Sequence, residues 1–129
     1  MKWQFRVWDI ENQKMFKTTK IEITQFETTA KVFESGKHRT LINDKRTNRT
    51  QFLLMANVGI RDKNMEEVFD EDIVATDKGI AVIYFQPSRG SFVARLLEKH
   101  GGLELLIDEI KESMKILGNV FEDKHLITE

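Results

Sequence analysis

The run Asp77-Lys78-Gly79-Ile80-Ala81-Val82-Ile83-Tyr84-Phe85-Gln86-Pro87-Ser88-Arg89-Gly90-Ser91-Phe92-Val93-Ala94-Arg95-Leu96-Leu97 carries the clearest structural signal in the chain. Two apolar, β-branched blocks, Ile80 to Phe85 and Phe92 to Leu97, flank Gln86-Pro87-Ser88-Arg89-Gly90, where proline and glycine favour a chain reversal. The pattern predicts a hairpin, and Asp77-Lys78-Gly79 predicts a second tight turn on its N-terminal side. Upstream, Val68-Phe69 and Ile73-Val74 bracket the acidic cluster Asp70-Glu71-Asp72, so the middle of the chain reads as a β-meander.

Farther toward the N-terminus the same strand signals recur. Gln51 to Val58 contains Phe52-Leu53-Leu54-Met55, short enough for a strand buried on both faces. Arg61-Asp62-Lys63-Asn64 then reads as a turn. The beginning of the chain alternates, with Trp3, Phe5 and Val7 on one side and Gln4, Arg6 and Trp8 on the other, the period of a half-buried strand. Asp9 to Gln13 is a polar turn, Lys14-Met15-Phe16-Lys17 a returning strand, and Ile21-Glu22-Ile23-Thr24 another β-branched run that Val32-Phe33 answers. Residues 36–50 carry five Lys and Arg against Asp44 alone and are expected to form an exposed loop of net charge +4.

Helical period is confined to the segment after Gly101-Gly102. Leu103, Leu106, Ile107, Ile110, Met114 and Leu117 lie on one stripe, and Gly118 follows as a stop. Periodicity alone therefore predicts one amphipathic helix reaching Leu117.

Composition bounds the rest. The 129 residues are 40% hydrophobic and 32% charged, which suits one small globular domain. The absence of cysteine excludes disulfide staples, thiol nucleophiles and cysteine-based zinc sites, and favours a reducing, cytoplasmic compartment. The longest apolar run, Ile80 to Phe85, is six residues, against the ~20 that span a bilayer. Met1-Lys2-Trp3-Gln4 opens no signal-peptide pattern, so neither secretion nor membrane insertion is expected. The net charge of -1 is a cancellation: residues 1–50 hold 11 Lys and Arg against 6 Asp and Glu, a surplus of +5, and residues 51–129 hold 9 against 15, or -6. Such asymmetry favours an electropositive face or a head-to-tail contact between copies.

Three blocks of residues bring a family into view. Phe5-Arg6-Val7-Trp8-Asp9 with Asn12-Gln13-Lys14-Met15, then Gly59-Ile60-Arg61-Asp62-Lys63-Asn64 running into Val68-Phe69-Asp70-Glu71-Asp72-Ile73-Val74, and finally Ile116-Leu117-Gly118-Asn119-Val120-Phe121-Glu122 resemble, in order, the motifs of the YopX family of small phage and prophage proteins. The resemblance implies one mainly-β domain over residues 1–129, with N-terminal strands in 1–35 and an SH3-like small barrel in 51–127. It also implies a closing strand from near Met114, which shortens the expected helix to Leu103–Glu112. It implies no catalytic residues. Met65 and Glu71 stand where the family has glycine, and Asp123-Lys124 where it has Asn-Pro. A left-handed backbone kept at Met65 or Glu71 costs ~1 kcal/mol or more, so these turns are expected to change shape.

The chemistry-bearing residues point to binding. His38, His100 and His125 fall in predicted loops without metal-ligand spacing. Glu66, Glu67, Asp70, Glu71 and Asp72 could hold a hard cation such as Mg²⁺ or Ca²⁺, but they alternate between strand faces; the family resemblance implies instead a turn into a strand there, with Asp72 accepting backbone N–H bonds. Asp108-Glu109-Ile110-Lys111 echoes the acidic-x-Lys pattern of metal-dependent nucleases, but on an amphipathic helix it reads as the solvated face. Lys37, Arg39, Lys45, Arg46 and Arg49 are the candidate polyanion-binding residues; Trp3, Trp8 and Phe16 read as packing. The expected function is a non-enzymatic interaction module that binds a protein partner or a second copy of itself. A nucleic-acid module using residues 36–50 is the alternative, and a carboxylate-based metal hydrolase ranks last. No catalytic residue, cofactor or metal is assigned.

Overall fold

A computed structural model describes residues 3–128. The chain is mainly β and forms two compact units, residues 1–56 and 57–129.

The N-terminal unit holds β1 (Phe5–Asp9), β2 (Lys14–Thr18), β3 (Ile21–Ile23), β4 (Glu27–Glu34), β5 (Lys37–Asp44), β6 (Arg49–Thr50) and the first half of β7 (Phe52–Arg61). β1 pairs antiparallel with β2 on one edge and with residues 52–56 of β7 on the other. Flanked on both sides, it is covered on both faces: Arg6, Val7, Trp8 and Asp9 are all buried. The half-buried alternation expected there is thus overridden by the central position of the strand. β7 departs in the opposite sense. Phe52 and Met55 are buried, but Leu53 and Leu54 are each 40% exposed, so the apolar block is not covered on both faces.

The second sheet of this unit runs β3-β4-β5-β6. β4 is longer than its apolar residues indicate. Its 28–30 portion answers β3, through Ile21 opposite Ala30 and Ile23 opposite Thr28, while Val32 and Phe33 pair instead with Arg39 and His38 of β5. Residues 36–50 are therefore not a loop, because β5 and β6 occupy most of them. Ser35 and Gly36 both adopt positive φ, 52° and 79°, the two-residue turn that matches strand twist and closes a tight hairpin. β5 escapes notice in the sequence because Leu41 is its one fully covered side chain. Val7, Ala30, Val32, Leu41 and Phe52 form the core, with Phe16 and Ile21 against it.

The C-terminal unit holds the rest of β7, β8 (Glu67–Phe69), β9 (Asp72–Thr76), β10 (Gly79–Gln86), β11 (Ser91–Leu96), β12 (Glu104–Leu106), α1 (Ile107–Ile110) and β13 (Lys115–Asn119). Both turns expected around residues 77–97 form as hairpins, and the sheet order is β12-β11-β10-β9-β13. The helix is far shorter than expected. Glu104–Leu106 pair with Val93–Arg95 at the sheet edge, leaving helix only over Ile107–Ile110. Ladder bonds to β11 outcompete a helix too short to stand by itself, and the stripe splits accordingly: Ile110 and Met114 are buried, Leu103 and Leu106 exposed, while Leu105, off the stripe, is buried. The closing strand begins at Lys115, next to the expected start.

Candidate functional site

The five basic residues expected to bind a polyanion are spread along β5, the turn that follows it and β6. Lys37 opens β5 and Lys45 follows its end, roughly 26 Å apart at the ~3.3 Å rise of a strand. Arg39 donates to Asp9 Oδ2 at 2.8 Å and Glu34 Oε1 at 3.3 Å, and lies 5.7 Å from the Phe16 ring centroid. Arg46 faces Asp44 at 3.5 Å and Glu27 at 3.4 Å and stands over Phe26 at 5.1 Å. These two guanidiniums complete ion pairs and cation–π contacts within the unit. Lys37, Lys45 and Arg49 make no ion pair among the described residues.

A different set of cations gathers instead. Trp3, Lys17, Thr18, Thr19, Lys20, Lys31, Val32, Phe33, His38 and Thr40 line a groove of about 540 Å³ in the N-terminal unit, with no acidic side chain among them. Local geometry explains the assembly. Register sets Lys31 opposite Thr40 and Phe33 opposite His38, while the alternate residues Ala30 and Val32 enter the core. The four therefore share the outer face of the hairpin. The Phe33 and His38 rings meet edge to face at 5.0 Å, and Phe33 is 61% exposed.

The wall carrying Lys17 and Lys20 is tied to β4 by Thr18. Its buried hydroxyl donates to the Lys31 carbonyl at 2.7 Å and accepts the Lys20 N–H at 3.0 Å, and the Lys31 N–H donates to the Lys20 carbonyl at 3.2 Å. Three ammonium groups beside exposed aromatic faces and hydroxyls suit a ligand that is both anionic and planar. Reading across the Ser35-Gly36 turn would have set Phe33 against His38 from sequence. Nothing local announces Lys17 and Lys20, which join through packing.

The other candidates separate. His38 lies on β5 rather than in a loop, His100 accepts the Ile80 N–H on Nδ1 at 2.8 Å, and His125 sits in the 3-10 turn Lys124–Leu126. Asp72 Oδ2 accepts the Phe69 N–H at 2.8 Å, as expected of it, and Glu67 faces Arg61 at 3.6 Å. Lys111 pairs with Asp108 at 3.3 Å. Among the described residues no group of three or more His, Asp or Glu is placed to hold a metal ion.

A family model described as YopX protein matches residues 4–128. The crystal structure of protein EF1440 from Enterococcus faecalis is similar over 99% of each chain, with a TM-score of 0.64 and 17% identity, a likeness of fold. No curated protein matches the chain.

Proposed function

The chain belongs to the YopX family, and from that premise we propose that it is a non-enzymatic interaction module of phage or prophage origin whose partner is a protein, in the first instance a second copy of itself. The observation that carries this reading is where the charge changes sign. Residues 51–56, Gln-Phe-Leu-Leu-Met-Ala, bear no charge, so the N-terminal unit keeps the whole +5 surplus and the C-terminal unit the whole -6. Two compact bodies of opposite sign on one chain attract the complementary bodies of another copy.

Short strand edges supply the contact. β3 ends its sheet and is only three residues long, with Ile23 72% exposed, and β12 and β13 end the other sheet. Edges of this kind accept a further strand. A cysteine-free composition supports a reducing compartment, the cytoplasm, as the place of work. Among the described residues no helix is long and apolar enough to cross a membrane.

Light scattering across a salt series tests the reading. Charge-driven association is screened as the Debye length falls from ~30 Å at 0.01 M to ~3 Å at 1 M. Mass above the monomer at low salt, returning to the monomer at high salt, is expected. A monomer at every salt concentration removes the self-association.

A further inference from the structure

We propose that the acid-free groove of the N-terminal unit is a binding site for single-stranded nucleic acid, with Lys20 and Lys31 meeting phosphates and Phe33 offering a face on which a base stacks. The ligand class is the one expected of residues 36–50, but the residues are different. The arguments are geometric and electrostatic. Of six acidic residues in this unit, none lines the groove; Asp9, Glu27, Glu34 and Asp44 are drawn instead into pairs with Arg39, Arg46 and Lys14. Lys20 and Lys31 therefore stand in a groove whose described walls contribute no acidic side chain. Lys20, just before β3, and Lys31, on β4, are exposed and held side by side by their shared backbone bond and the Thr18 hydroxyl, and Phe33 presents its ring from the β4 side of the same surface.

That pairing of phosphate-sized cations with an exposed aromatic face is what sequence-tolerant single-strand binding uses. An acidic peptide would use the lysines but has no need of the ring. A duplex would need a longer basic track than three lysines, because its affinity comes from many phosphates.

The test is fluorescence anisotropy with the full chain and a fluorescein-labelled oligothymidylate, repeated over a salt series. Two phosphate contacts on a single strand give a log–log salt slope of about -1.4. The double substitution Lys20→Glu/Lys31→Glu should weaken binding at least tenfold and flatten that slope. Phe33→Ala should weaken it about tenfold with the slope unchanged, which a purely ionic site would not do. Lys37→Glu/Arg49→Glu should leave affinity within about twofold. The altered side chains are exposed, so folding is retained; Lys20→Gln/Lys31→Gln gives the same direction without charge reversal. No binding at low salt, equal affinity in Phe33→Ala, or displacement by polyglutamate as effective as by unlabelled oligonucleotide would each overturn the proposal. Light scattering on the same samples keeps the two readings apart. A chain that binds oligonucleotide yet remains monomeric loses only the self-association, and a salt-sensitive dimer indifferent to oligonucleotide loses only this site.

Discussion

The carboxylate of Asp62 accepts the backbone N–H of Ile116 at 2.9 Å, joining the turn after β7 to the closing strand β13 across 54 positions of sequence. Its other oxygen accepts the N–H groups of Asn64 and Glu66, each at 2.9 Å. One buried side chain thus satisfies three backbone donors, two local and one distant. Asp62→Ala leaves all three without that acceptor and should cost about 3 kcal/mol, read as a lower urea midpoint with unchanged slope. A loss below about 1 kcal/mol would mean that water replaces the carboxylate.

Met65 and Glu71 adopt left-handed backbone, with φ of 65° and 71°. Both turns carry this strained conformation because hydrogen bonds from their surroundings hold them. Met65 N–H donates to the Asp62 carbonyl, Glu71 N–H to the Ile83 carbonyl, and the Glu71 carbonyl accepts the Val120 N–H. The side chains therefore sit in strained backbone. Met65→Gly and Glu71→Gly should each stabilise the fold by about 0.5–1 kcal/mol, the relief of left-handed strain less the added freedom of the unfolded chain. Thermal or urea unfolding measures it, and destabilisation by either change would contradict the strain argument.

Gly79 has φ of +131°, and a Cβ placed on it would stand 2.7 Å from the His100 Cβ. His100 Nδ1 holds the Ile80 N–H beside it. Gly79→Ala should lose about 2 kcal/mol or more through strain and collision together. In a His100→Gly background the Cβ and the ring it meets are both gone, so the same change should cost less; equal costs in both backgrounds would show that backbone conformation alone matters.

Burial raises the Asp9 carboxyl, but the hydrogen bonds from Asn12 and Arg39 outweigh it and hold it below the ordinary value of 3.8. A depressed folded value means that the stabilisation is complete above about pH 4 and disappears as pH falls through the lower folded value. The gap in urea midpoint between the natural chain and Asp9→Asn should be constant from pH 7 to about pH 4 and close below it. A gap independent of pH would separate Asp9 from the acid response.

Much of the C-terminal unit was legible. Turn chemistry at Asp77-Lys78-Gly79 and Gln86 to Gly90, with β-branched blocks between, is a local signal, and the strands form where it places them. Asp72 is likewise readable, since a carboxylate at the start of a strand finds the N–H of a turn. The error over Leu103–Leu106 has a definite cause. Apolar spacing reports which residues are covered, and the edge of β11 offered those residues backbone partners that a helix would have had to supply alone. In the N-terminal unit, polarity concealed β5, whose partners Thr29, Lys31 and Phe33 lie on an exposed face.

Sequence by itself determined the strand-rich class, the family, the absence of cysteine chemistry and the charge difference between the two parts, because each depends on residue identity or on neighbours along the chain. Tertiary structure decided which cations are occupied and which are gathered. Arg39 and Arg46 are close in sequence to Lys37 and Lys45 yet meet acids brought by β1 and β4, while Lys17, Lys20 and Lys31, dispersed in sequence, meet around one groove. The physical reason is that charge acts through space, and only the pairing of β2, β3, β4 and β5 fixes which charges are neighbours.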